Sequence, residues 1–142
     1  MVSKDESASS EPGFEVGVLT VDDQDVFRRV AHDVIEATAG FKSVGEAGSA
    51  EEALALVDEI HPELVLMDVR MPGVDGLEAA RQINAAHPET TIVLVTIEEP
   101  AEVAPSPASC GAVALLRKQD LRPAILRAVW REFGAKPRNQ PA

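Results

Sequence analysis

The chain has 142 residues, 45% of them hydrophobic, which fits one globular domain with a full core. Its formal net charge is −11 and no Lys/Arg cluster is longer than a pair, so nucleic acid and anionic membrane surfaces are poor direct partners. The single cysteine, Cys110, excludes an internal disulfide and fits a reducing cytoplasm. No apolar run reaches the length of a membrane span, and the first residues carry no apolar signal region. The expectation is a soluble cytoplasmic protein.

Residues 1–13 are rich in Ser and Glu and read as a mobile tail, as do residues 134–142. Between them lies a single domain, 14–133, in which two periodicities alternate. "FEVGVLTV" (14–21) is a β-rich apolar run. The helix predicted over 25–40 carries Val26, Val30, Val34 and Ile35 as its apolar face, with Gly40 as C-cap. "FKSVGEA" is a weaker strand. Ser49 and Glu52 then form a capping box for a helix whose apolar face is Ala53, Leu54, Val57 and Ile60 and which His61-Pro62 ends. "ELVLMD" is a third strand, "DGLEAARQINAAH" a third helix, "TTIVLVTI" (90–97) a fourth strand and "GAVALLRK" (111–118) a fifth. Asp120 is the predicted cap of a last helix, whose Pro123 falls in the first turn.

Strands alternating with helices predict a parallel sheet covered on both faces. Functional groups of such sheets gather at the carboxyl ends of the strands. Asp22 and Asp23 close the first strand, Asp68 the third, Thr96 the fourth and Lys118 the fifth. Three acids, a hydroxyl and an ammonium therefore share one rim. Clustered carboxylates resist ionising together unless a cation compensates them. Mg²⁺ suits the set, with Asp23 and Asp68 as direct ligands and Asp22 acting through water. Asp68 is also the candidate nucleophile towards a phosphoryl donor, with Lys118 balancing charge and Thr96 donating its hydroxyl.

These residues carry a resemblance. "DD" at 22–23, "DVRMPGVDG" around Asp68, "VT" at 95–96, "GA" at 111–112 and Lys118 occur in the order of a response-regulator receiver domain, over roughly residues 14–133. The resemblance implies a flavodoxin-like five-stranded sheet of order 2-1-3-4-5. It also implies Asp68 as acceptor of a phosphoryl group from a histidine kinase or phosphotransfer protein, and Mg²⁺ held by Asp23, Asp68 and the backbone carbonyl of Arg70. Thr96 and Lys118 then contact the phosphoryl group. A single-domain regulator that signals through a protein partner or a phosphorelay is the function implied, with a homodimer as a further possibility.

Three positions and one segment depart from the family pattern. Ile97 stands where a small residue follows the Thr, Leu115 where an aromatic is usual, and Gln119 where proline is frequent. The segment reserved for the helix between the fourth and fifth strands holds Pro100, Pro105 and Pro107. Interior prolines cost about 3 kcal/mol each, so a loop or one short turn is predicted there. Arg70 and Glu98 are predicted to flank the pocket and to pair across its mouth.

Plainer accounts exist for each residue. Asp22 and Asp23 can cap a helix, Thr96 can be a β-former, and Lys118 a solvated lysine. His32, His61 and His87 read as solvated helix residues, Cys110 as small buried filling, and Trp130 as packing for the last helix. The alternative function is a degenerate receiver that binds protein without phosphorylation. A hydrolase using an aspartyl phosphate is disfavoured because Arg70 stands where its second Asp belongs. No P-loop is present, and "DDQD" after the first strand would repel a flavin phosphate.

Overall fold

The computed structural model describes residues 15–71, 76–97 and 107–134. Strand β1 (Val16–Val21) leads to helix α1 (Asp25–Glu36), β2 (Phe41–Ala47), α2 (Ala50–Ile60), β3 (Leu64–Asp68) and α3 (Gly76–Ala86). Then come β4 (Thr91–Thr96), a 3₁₀ turn at Pro107–Cys110, β5 (Ala114–Arg117), a second 3₁₀ turn at Lys118–Asp120, and α4 (Pro123–Phe133). All strands are parallel, in the order β2-β1-β3-β4-β5. This is the flavodoxin-like arrangement expected.

β1, β3 and β4 are buried at every position because helices cover both faces, which is why their sequences are continuous apolar runs. α1 and α4 cover one face over Phe27, Ala31, Ile35, Leu66, Val93 and Leu126. α2 and α3 cover the other over Ala53, Val57, Met67, Ala80, Ile83 and Leu94. Among the described residues no helix is long and apolar enough to cross a membrane.

Local signals decide most element ends. The Ser49 side chain accepts from the Glu52 N–H, and the Glu52 carboxylate reaches back to the N–H of Gly48 at 2.9 Å. His61 takes up a left-handed backbone and stops α2 before Pro62. Where the segment between β4 and β5 is described, from residue 107, it forms a 3₁₀ turn at Pro107–Cys110. Pro100, Pro105 and Glu98 lie outside the described residues, and so does the predicted pairing of Glu98 with Arg70.

Several expectations need correcting. α1 buries Phe27, Ala31 and Ile35, while Val26 is 72% exposed and Val30 46%. The stripe at 27, 31 and 35 has the same four-residue spacing, and the bulk of Phe27 wins the core-facing register. α1 also ends at Glu36, because the Thr38 hydroxyl bonds back to the Val34 carbonyl at 2.6 Å. Gly40 instead supplies a positive φ in the turn into β2. Asp120 does not cap α4. It sits in the preceding 3₁₀ turn beside Arg117, and Arg122 is the cap. β5 is shorter than predicted, since Gly111 (φ 90°) and the two residues after it form the entry. His87 is no solvated helix residue. Its ring lies just past α3, with Nε2 2.6 Å from the Asp58 carboxylate, and meets His61 edge-on.

Trp130 packs its ring edge-to-face on Phe41 at 6.3 Å, and Cys110 is buried. Leu115 is half-buried against the α2/α3 side of the core.

Candidate functional site

The carboxyl end of the sheet brings every rim residue together. Parallel pairing sets Asp68 level with Val95 and Thr96 level with Arg117, so Asp68, Thr96 and Lys118 emerge side by side. Asp22 and Asp23 follow directly on β1, the neighbour of β3. Carboxylate oxygens of Asp22, Asp23 and Asp68 all lie within 4.8 Å of one another. An open cleft of about 270 Å³ is lined by Asp23, Gln24, Asp68, Arg70, Thr96, Ile97 and Lys118.

The three acids have different settings. Asp22 is completely buried and does not line the cleft. Its Oδ1 accepts from the Gln24 N–H at 2.8 Å, and its Oδ2 meets Lys118 Nζ at 2.5 Å. The first of these bonds replaces helix capping, because Gln24 and not an Asp is the cap of α1. Asp23 is exposed and faces the cleft. Asp68 is 5% exposed, accepts from the Arg70 N–H at 3.3 Å, and has Lys118 Nζ at 3.7 Å. Its pKa is raised from 3.8 to about 6, chiefly by burial and then by the Asp22 charge, with Lys118 and the Arg70 N–H pulling the other way.

Lys118 is held from below by Phe27, whose ring centroid is 4.8 Å from Nζ. Thr96 is buried at the tip of β4, and Ile97 beyond it is 71% exposed at the cleft's mouth. Ile97 thus lines the cleft together with Asp68 while most of its own surface faces solvent.

Crowded carboxylate oxygens, one of them resisting ionisation, and an open solvent side suit Mg²⁺, a hard cation that keeps part of its water. Asp23 and Asp68 face the cleft, whereas Asp22 stands behind them. The residues fit the ion.

Gly76 is a position that sequence reading passed over. A Cβ there would lie 1.9 Å from the Asp68 carbonyl oxygen, because α3 begins against the end of β3 and the Gly76 N–H bonds to Val69 at 2.9 Å. The "DG" closing the Asp68 motif was the available signal. Gly76→Ala is expected to lower stability by about 2 kcal/mol or more, measured by urea unfolding, since backbone and not a flexible side chain blocks the methyl. Residues 72–75, which hold the Pro-Gly of the "DVRMPGVDG" motif, lie outside the described residues.

A family model for the response regulator receiver domain matches residues 18–129. The chain belongs to the response-regulator receiver family. This receiver is 43% identical over 84 residues to the response regulator GacA of Pseudomonas viridiflava, a match covering 59% of this chain and 39% of that protein. It is 35% identical over 115 residues to the transcriptional regulatory protein YxjL of Bacillus subtilis, covering 81% of this chain and 53% of that one. Both relatives are thus much longer than the part this receiver matches. Among solved structures, a LuxR-family response regulator from Aurantimonas sp. SI85-9A1 superimposes with a TM-score of 0.74 at 30% identity, over 83% of this chain and 84% of that one. The response regulator domain of Thermotoga maritima CheB gives 0.74 at 27% identity, over 82% and 95%.

Proposed function

We propose that this receiver accepts a phosphoryl group on Asp68 from a histidine kinase or phosphotransfer protein and passes the signal on through a protein partner. The observation that carries the reading is the Asp68 carboxylate, at a strand tip, with Lys118 at 3.7 Å and two further carboxylates within 4.8 Å. Asp23, Asp68 and the main-chain carbonyl of Arg70 would hold Mg²⁺, with the buried Asp22 behind them keeping Lys118 in place. When bound, the ion neutralises the acidic pocket and the charge on the incoming phosphoryl oxygens.

The chain's own groups divide the remaining work. An Asp68 carboxylate oxygen attacks phosphorus as the donor's bond to phosphorus breaks, leaving an acyl phosphate. Lys118 keeps a charge balance beside Asp68 while also restraining Asp22. Thr96, buried at the end of β4 on the cleft's edge, is the hydroxyl donor to the transferred group. The degenerate-receiver reading draws less support, since the bulky Ile97 stands in solvent at the rim.

Incubation with acetyl phosphate and Mg²⁺ tests the reading by intact mass. One added phosphoryl group is expected, absent without Mg²⁺ and absent in Asp68→Ala. An unlabelled wild type that nevertheless binds Mg²⁺ would favour the phosphorylation-independent module.

Partner docking has its own expectation. Arg28 reaches Glu46 on β2 at 3.3 Å, so that flank of α1 faces the sheet edge. Residues 26 and 30 fall on the opposite flank at about 100° per residue. Val26 and Val30 thus leave an apolar flank exposed on α1, the helix that directly follows the cleft-lining Asp23 and Gln24 in the chain. The double change Val26→Ser, Val30→Ser is expected to slow transfer from a phosphorylated partner about tenfold, the equivalent of ~1.4 kcal/mol. Labelling by acetyl phosphate, which needs no docking, should stay as in wild type.

A further inference from the structure

Asp22 is held at each of its polar atoms by a different part of the fold. Its N–H bonds to the Ala47 carbonyl on β2 at 3.0 Å. Its side chain takes the Gln24 N–H and the Lys118 ammonium. Its main-chain carbonyl receives Arg28 Nη1 at 2.6 Å. That last contact matters most for the next residue, because the carbonyl of Asp22 and the N–H of Asp23 belong to one planar peptide unit. Fixing the carbonyl fixes the direction in which Asp23 leaves the chain. Asp23 is itself exposed, so the backbone does much of its aiming.

Arg28 is suited to this task. It is one turn into α1, its side chain is only 21% exposed, and its Nε is held by Glu46 at 3.3 Å. The planar guanidinium therefore spans from β2 to the Asp22 carbonyl, a reach with two directed donors that a lysine does not offer. Neither Arg28 nor Glu46 lines the cleft.

We infer that Arg28, oriented by Glu46, is a positioning residue that pre-sets the Asp22–Asp23 peptide so that Asp23 meets Mg²⁺ without rearrangement. This rests on the reading of the cleft as a Mg²⁺ and phosphoryl site. Groups behind metal ligands commonly alter affinity about 10- to 100-fold when removed. A contact acting on a ligand's backbone belongs at the lower end of that range.

The test is calorimetric titration of Mg²⁺ into wild type, Arg28→Met, Arg28→Lys and Glu46→Gln, with thermal unfolding and acetyl phosphate labelling alongside. Arg28→Met is expected to bind Mg²⁺ about tenfold more weakly, and Glu46→Gln about threefold. Arg28→Lys is expected between wild type and Arg28→Met. Labelling of each at saturating Mg²⁺ should return to the wild-type level, a split that separates ligand placement from loss of fold. Unchanged Mg²⁺ affinity in Arg28→Met, with only its melting temperature lowered, would overturn the inference and leave the proposed function standing. Should Arg28→Met fail to fold, Glu46→Gln with wild-type Mg²⁺ affinity would overturn it equally. A wild type that takes up no Mg²⁺ would overturn both.

Discussion

Asp68→Asn is expected to stabilise the metal-free protein by about 2 to 3 kcal/mol near neutral pH, even though it removes the group on which function is proposed to rest. The reason is the raised pKa of Asp68, about 6 against 3.8, set first by burial and then by Asp22. Folding binds the Asp68 proton more tightly, so between roughly pH 4 and 6 the native state carries more protons than the unfolded chain. Stability from this group is complete below about pH 4 and is lost as pH rises through about 6. Wild type should therefore lose stability over that window and Asp68→Asn should not, as read from urea unfolding in EDTA. Saturating Mg²⁺ should shrink the difference, because the ion compensates the carboxylate whose ionisation was penalised. Equal stabilities of the two proteins at both ends of the window would contradict the electrostatic account.

Lys118→Met should act in the opposite direction. Asp22 is fully buried and Lys118 lies 2.5 Å from it, so removing the ammonium strands a charge away from water. Breaking one side of a buried pair typically costs about 3 kcal/mol or more, although the intact pair contributes far less than that. Asp22→Asn combined with Lys118→Met is therefore expected to recover most of the loss, in a double-mutant cycle followed by chemical denaturation. Labelling by acetyl phosphate should stay depressed in the double variant, because Lys118 also lies 3.7 Å from the Asp68 carboxylate and a neutral amide at position 22 does not replace its charge. Additive losses of stability would mean that the 2.5 Å contact carries no coupling.

The part of the molecule legible in the sequence is the part governed by short-range rules. Ser49 with Glu52 announced the start of α2, and His61-Pro62 its end, because caps and breakers act within a few residues. The rim was legible for a different reason. Once strands and helices alternate, topology alone carries the residue after each strand to one end of the sheet, whatever the side chains in between. Reading failed where two local signals competed. Val26/Val30 and Phe27/Ala31 are both stripes of helical spacing, and only the volume available under α1 selects the second. Asp120 has the chemistry of a cap, yet Arg117 takes its carboxylate and a 3₁₀ turn intervenes before α4. The "DG" at 75–76 marked Gly76 without its reason, and Arg28 carried no mark at all, because both roles depend on backbone groups that are brought close only when the chain folds.

Asp68, alone among the three clustered acids, is proposed to carry the phosphoryl group. Borohydride reduction followed by peptide mass spectrometry tests it most directly, because an acyl phosphate on aspartate is reduced to homoserine. After labelling with acetyl phosphate in Mg²⁺, homoserine is predicted at position 68 only, with Asp22 and Asp23 recovered intact. Homoserine at position 22 or 23, or a labelled protein that yields none at 68, would contradict the account.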